Sequence, residues 1–341
     1  MKKSLAMLSE DEIKNILKTE FKQPTFRAKQ ILSWIYKGVS ISNMNNLPKN
    51  LREQLEESYS TSSLEIVKTF VEKKSGTTKF LLKTQDEIYI ECVLLEYDKK
   101  YTVCVSSQAG CNMGCVFCES GKDGLLRDLS AEEMVSELIC VRSVIDSDIS
   151  NIVLMGSGEP FDNYDATMDF VRFINQEDTF NIGIRHITVS TCGVLSGIRR
   201  LIEEGPYINL AVSLHSPISE IRRSMMPVEK AYPIDKVVAL CNEYREKAKR
   251  RITYEYCLVE GVNDNVECAN ALAKLLAKTD SHVNLINVND GGKYKENKSS
   301  NIEVFAKMLE ERKINCTIRR KLGSSINAAC GQLQAKYNRD K

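Results

Sequence analysis

Cys111, Cys115 and Cys118 stand in a C-x3-C-x2-C array within QAGCNMGCVFCESGKDGLLRD, residues 108–128 of a 341-residue chain. Thiolates hold iron-sulfur clusters, and three of them leave one iron of a 4Fe-4S cube without a protein ligand and open to a substrate. Gly110, Gly114, Gly121 and Gly124 are interspersed with the cysteines. That density of glycine disfavours a helix and lets backbone approach a bulky ligand closely. Two other readings compete. On a helix the three cysteines would share one face as small buried hydrophobes, which the glycines oppose. A zinc site with Cys104 as fourth ligand would ordinarily draw its thiolates from two separated pairs.

Further polar groups recur downstream. Gly156-Ser157-Gly158-Glu159-Pro160 is a glycine-rich turn whose carboxylate can accept hydrogen bonds from an ammonium group. Ser190, Ser213, His215 and Asn289 carry the groups needed to hold ribose hydroxyls, a carboxylate or adenine. Taken singly these are weak signals: a glycine turn also starts helices, and a lone histidine is ordinarily a satisfied core residue.

The elements that must position them bring these groups into register. Short β-rich runs at 102–106, 151–155, 186–191, 208–214, 251–258 and 282–288, with a seventh candidate at 314–319, alternate with amphipathic patterns near 130–145, 164–175, 194–204, 233–247, 265–278 and 300–312. Such alternation implies an α/β fold with helices outside a parallel sheet. Six or seven units fall short of the eight of a closed barrel, so a partial (β/α)6 barrel is expected. The cysteine loop then follows the first strand and GSGEP the second. The third and fourth strands close on residues 190–193 and 213–217, the sixth on 287–289. All lie at C-terminal strand ends, where barrels of this kind build active sites.

Ahead of the barrel, residues 1–62 read as a helical domain. Ser9 and Glu12 form a capping box, a second helix is expected over 25–37, and a third opens near Pro48. Residues 63–100 read as a β linker, with strands at 65–71, 78–82 and 87–95 and a turn at Ser75-Gly76. Residues 101–341 make the core. No apolar run approaches the roughly 20 residues of a membrane span, and the N-terminus is no signal peptide, so a cytoplasmic monomer is expected. The twelve cysteines are then thiols, metal ligands or redox groups rather than disulfides, with Cys140, Cys241 and Cys268 as packing residues. Net charge is +1, but residues 293–341 carry twelve basic and five acidic side chains. This is either a solvated face or a phosphate-binding one, with Arg319 and Arg320 among its cations.

At the C-terminus stands AACGQL, with Cys330 in a basic tail. Together with FRAKQI, CVSSQAGC, GSGEP, HITVSTCG, LAVSLHSP, MMPVEKAYPI, YEYCLVEGVND and HVNLINVN, it closely resembles the RlmN/Cfr family of radical S-adenosylmethionine (radical SAM) RNA methyltransferases over nearly the whole chain. The resemblance implies that Cys111, Cys115 and Cys118 ligate one 4Fe-4S cluster. It implies that Gly158, Glu159, Ser190, Ser213, Leu214, His215 and Asn289 contact S-adenosylmethionine. Cys330 would take a methyl from one cofactor molecule to become S-methylcysteine, and a second molecule would yield the 5'-deoxyadenosyl radical that abstracts hydrogen from that methyl. Carbon 2 of adenine is too electron-poor to attack a methyl sulfonium, whereas a carbon radical adds to it. Glu91 aligns with the base that removes the ring proton. Cys104 would attack the sulfur of Cys330 and release the RNA, leaving a disulfide for a cellular reductant.

An electron donor for the cluster is a further partner implied. The RlmN branch acts on carbon 2 of an adenine in 23S rRNA and, in some members, in the tRNA anticodon loop. The Cfr branch acts on carbon 8 of the ribosomal adenine and confers antibiotic resistance. IRRKLGSSINAACGQL is closer to RlmN. Glu119, Asp128 and Asp290 depart from the common pattern.

Overall fold

The computed structural model describes residues 2–98, 100–277, 279–288, 293–294, 297, 299–333 and 338; Asn289 and Asp290 lie outside the described residues. At the N-terminus, β1 (Lys3–Ser4) is followed by α1 (Glu10–Thr19), α2 (Arg27–Ile35) and α3 (Lys49–Ser58), and β2 (Tyr59–Ser60) returns parallel to β1. The Ser9 hydroxyl accepts the Glu12 N–H while the Glu12 carboxylate accepts the Ser9 N–H at 2.8 Å, satisfying two donors that a helix start leaves orphaned. Ile13, Leu17, Ile31, Ile35, Leu51 and Leu55 turn inward and belong to the same hydrophobic core as the barrel helices. The contact is polar as well: Ser63 N–H donates to Ser136 Oγ at 3.0 Å and Arg142 Nε to the Tyr36 carbonyl at 3.3 Å.

Among the described residues the main sheet has ten strands. Three are antiparallel, β3 (Glu65–Glu72), β4 (Thr77–Lys83) and β5 (Tyr89–Tyr97), and β5 pairs in turn with β6 (Lys100–Cys104). The stretch expected as a β linker is therefore continuous with the barrel sheet. From β6 the pairing is parallel through β9 (Ile149–Leu154), β10 (Ile187–Thr191), β11 (Asn209–Ser213), β12 (Ile252–Leu258), β13 (Ser281–Asn287) and β14 (Cys316–Ile318). The seventh parallel strand is thus formed, as a short edge. A small hairpin, β7 (Gln108–Gly110) with β8 (Leu125–Asp128), brackets the cysteine loop.

Helices α4 (Ala131–Arg142), α5 (Tyr164–Asn175), α6 (Leu195–Glu204), α8 (Ile234–Ala248), α9 (Val266–Leu275) and α10 (Ile302–Glu311) lie between the strands, as the amphipathic pattern implies. A further short helix, α7 (Ser219–Met225), was not legible in the pattern. No helix among the described residues is long and apolar enough to cross a membrane.

Candidate active site

The hairpin β7–β8 carries the cysteine loop out over the C-terminal strand ends. Cys111 N–H donates to Gly124 O at 3.0 Å, and Val116 N–H to Met225 O at 3.0 Å, so the loop is tied at both flanks. Cys111, Cys115 and Cys118 line one cavity of about 160 Å³ together with Gly158, Glu159, Ser190, Ser213, His215, Cys330 and Gly331. Most of the expected cofactor residues are thus brought to one place by four different strand ends. Leu214 is not: its side chain is fully buried in the hydrophobic core.

The backbone around this cavity is locked by side chains. Gly158 has φ +108°, and a Cβ there would lie 2.7 Å from Gln108 Cβ and Ser107 Oγ, so only glycine fits. Gln108 Oε1 accepts Glu159 N–H at 2.8 Å. The Glu159 carboxylate accepts the N–H groups of Phe161 at 3.1 Å and Cys192 at 2.7 Å, joining the loops after β9 and β10. Burial raises its pKa above the usual carboxylate value. His215 Nδ1 accepts Cys257 N–H at 2.9 Å, which leaves the proton on Nε2, and burial lowers the imidazole pKa to about 3, so the ring is neutral. Its ring meets Phe117 edge-on at 4.7 Å between centroids.

The donor set fits an iron-sulfur cluster. Three thiols share one cavity; burial raises the pKa of each, and backbone N–H groups of Met113 on Cys111, and of Ser120 and Gly121 on Cys118, partly offset that by favouring the thiolate. Among the described residues, no three His, Cys, Asp or Glu side chains are drawn together tightly enough to hold a single metal ion.

Cys330 also lines a second cavity, of about 130 Å³, with Val93, Cys104, Val153, Met155 and Arg319. Its segment lies on the cysteine loop: Glu119 N–H donates to Gly331 O at 2.8 Å and Ser120 Oγ to Leu333 O at 2.7 Å. Neither Cys104 nor Cys330 is joined in a disulfide. Burial pushes the Cys104 thiol far up, and the Arg319 guanidinium opposes that. Glu91 is 4% exposed and stands two residues before Val93 on the same face of β5, beside this cavity rather than on its lining.

Three further placements escape motif reading. Lys79 Nζ is 2.8 Å from Glu91 Oε1. Arg319, one of the cations of the tail read as either a solvated or a phosphate-binding face, turns inward to both cavities, with Nη1 3.6 Å from Glu255 Oε2, while Arg320 is exposed. A carboxylate inside the apolar run of β12 was the available signal for Glu255.

Residues 105–272 match the radical SAM superfamily, and residues 4–60 match the ribosomal RNA large subunit methyltransferase N-terminal domain. The chain is 44% identical over 337 residues to the "Probable dual-specificity RNA methyltransferase RlmN" of Clostridium tetani, covering 98% of this chain and 96% of that protein. With the protein of the same name from Staphylococcus haemolyticus the identity is 46% over 342 residues, covering 98% and 93%. The crystal structure of a radical SAM methyltransferase from Sphaerobacter thermophilus superposes with a TM-score of 0.90 at 40% identity, covering 98% of this chain and all of that one.

Proposed function

Since this chain belongs to the RlmN family of radical SAM RNA methyltransferases, we propose that it methylates carbon 2 of an adenine in 23S rRNA, and an adenine in tRNA, through S-methylcysteine at Cys330. The observation that carries this reading is the double exposure of Cys330. The same residue lines the cavity of Cys111, Cys115 and Cys118 on one side and that of Cys104 on the other. A group that takes a methyl at the cofactor and is later released by a second thiol requires both neighbours.

The family's 4Fe-4S cluster would be held by Cys111, Cys115 and Cys118, and S-adenosylmethionine by Gly158, Glu159, Ser190, Ser213, His215 and Asn289. When bound, these groups supply an electron and a hydrogen-abstracting radical. The protein's own side chains do the rest. Cys330 carries the methyl carbon to the adenine ring. Glu91 takes the ring proton. Cys104 attacks the Cys330 sulfur, freeing the RNA and leaving a disulfide that an external thiol reductant returns to two thiols, while the unpaired electron left by the radical addition is given up to a one-electron acceptor. Burial of Cys104 keeps it protonated, and Arg319 is the cation beside it that favours the thiolate form. The protein works as a cytoplasmic monomer with an electron donor as its other partner.

The test is mass spectrometry of nucleosides from 23S rRNA and tRNA incubated with the reconstituted enzyme. 2-Methyladenosine in both RNAs is expected. 8-Methyladenosine would place the enzyme with the carbon-8 branch.

A further inference from the structure

Lys79 lies in none of the family motifs quoted above, yet its ammonium is buried, with its side chain 8% exposed. A buried cation persists only where partners surround it. Nζ has three: Glu91 Oε1 at 2.8 Å, the Asn327 carbonyl at 3.2 Å, and the Phe70 ring, whose centroid is 5.2 Å away. Strand register explains the meeting. Lys79 pairs with Val93, Val93 with Cys104, and Cys104 with Val153, a single row across β4, β5, β6 and β9. Val93, Cys104 and Val153 line the cavity that Cys330 enters, so Lys79 stands at the end of the row that holds the second thiol. Glu91 is its diagonal neighbour on the same face. Asn327, the other polar partner, lies three residues before Cys330.

A carboxylate as buried as Glu91 is costly to keep charged unless a cation or hydrogen-bond donor faces it. An ammonium in contact offsets that cost. The second bond, to Asn327 O, joins the same ammonium to the segment that carries the methyl.

We infer that Lys79 is the positioning residue for proton removal: it holds Glu91 as a carboxylate and ties it to the Cys330 segment, so that base and methyl-bearing sulfur approach the adenine as one unit. This rests on the reading of Glu91 as the base. In the step, the ring proton passes to a Glu91 oxygen and the C–H electron pair stays in the ring. Lys79 remains an ammonium, and the pair carries one positive charge until the proton leaves to solvent.

The experiment uses reconstituted enzyme and a 23S rRNA fragment, reading 5'-deoxyadenosine, methylated RNA and covalent protein–RNA adduct. Glu91→Gln and Lys79→Met should each still form 5'-deoxyadenosine, accumulate adduct and lose methylated RNA by about 100-fold, the low end of what a positioned base contributes. Lys79→Arg, which keeps the charge, should recover most of that loss, and the double variant should be no worse than Glu91→Gln. Adduct with Glu91→Gln but normal turnover with Lys79→Met would overturn the role of Lys79 and leave the base in place. Normal turnover with Glu91→Gln would remove the base reading itself. Loss of 5'-deoxyadenosine formation in Lys79→Met, or no recovery with Lys79→Arg, would assign Lys79 to packing and sink the inference.

Discussion

Arg222 and Glu72 show how differently the two sides of the active centre are held. Arg222 is fully buried, pairs with Glu229, and donates to the carbonyls of Cys192, Ser213 and Leu214. It clamps the loops after β10 and β11 from inside, where water cannot compete for those bonds. Glu72 sits on the edge strand β3, half-buried, and accepts the N–H groups of Gly323 at 2.8 Å and Ser325 at 3.1 Å and the Ser325 hydroxyl at 2.5 Å. With Lys79, Glu119 and Ser120 it forms a set of polar tethers along the Cys330 segment. Interior clamps suit a cofactor that must sit still, whereas a tether at the sheet edge such as half-buried Glu72 suits a segment that opens at low cost. On the function proposed for Cys330, its sulfur visits cofactor, RNA and a second thiol and needs the latter.

The sharpest way to break this contrast is to remove the cofactor side. Replacing Cys111, Cys115 or Cys118 by Ala should abolish a cluster of about four irons and all cofactor cleavage. Iron analysis checks this, and normal iron in all three variants would refute the assignment. Cys330→Ala should spare the iron yet transfer no methyl to RNA. Cys104→Ala should act later still, accumulating protein joined to RNA on a denaturing gel, with none in the Cys104→Ala, Cys330→Ala double variant. Normal turnover of Cys104→Ala would leave that residue as a packing cysteine.

Glu72→Gln should be milder, lowering turnover by about tenfold or less, equivalent to about 1.4 kcal/mol in the barrier. The Ser325 hydroxyl, then Ser75, hold the Glu72 pKa down to about 2 from 4.5. A depressed carboxylate stabilises the folded state above its unfolded value and loses that contribution as pH falls through the folded one. The stability difference between wild type and Glu72→Gln should therefore be full at pH 7 and fade between about 4.5 and 2. Denaturant titrations at several pH values test it. The smallest effect expected is that of Arg320→Glu, whose side chain is exposed: RNA affinity should weaken alike for several RNAs, with the salt slope reduced by about one. An unchanged slope would return Arg320 to an ordinary solvated face.

Much of this molecule is local. The capping box at Ser9 and Glu12, the glycine loop around three thiols, and the alternation that puts polar motifs at C-terminal strand ends each need only a few neighbouring residues. Period and backbone preference are short-range effects, so the barrel and the cysteine loop are legible in the chain.

What depends on pairing is not. Alternation in residues 65–95 cannot say whether those strands stand apart or extend the barrel, and only the β5–β6 register brings Glu91 and Cys104 to the same face. Nor does a count of basic residues reveal that Arg319 turns inward while Arg320 faces water. The Lys79–Glu91 contact is diagonal across two strands, and Cys104 meets Cys330 from the far end of the core. The residue types, and hence the chemistry on offer, are written in the order of amino acids. Which thiol faces which, and which cation faces which carboxylate, follows from sheet register and chain return, where burial and hydrogen bonding between distant segments outweigh any local preference.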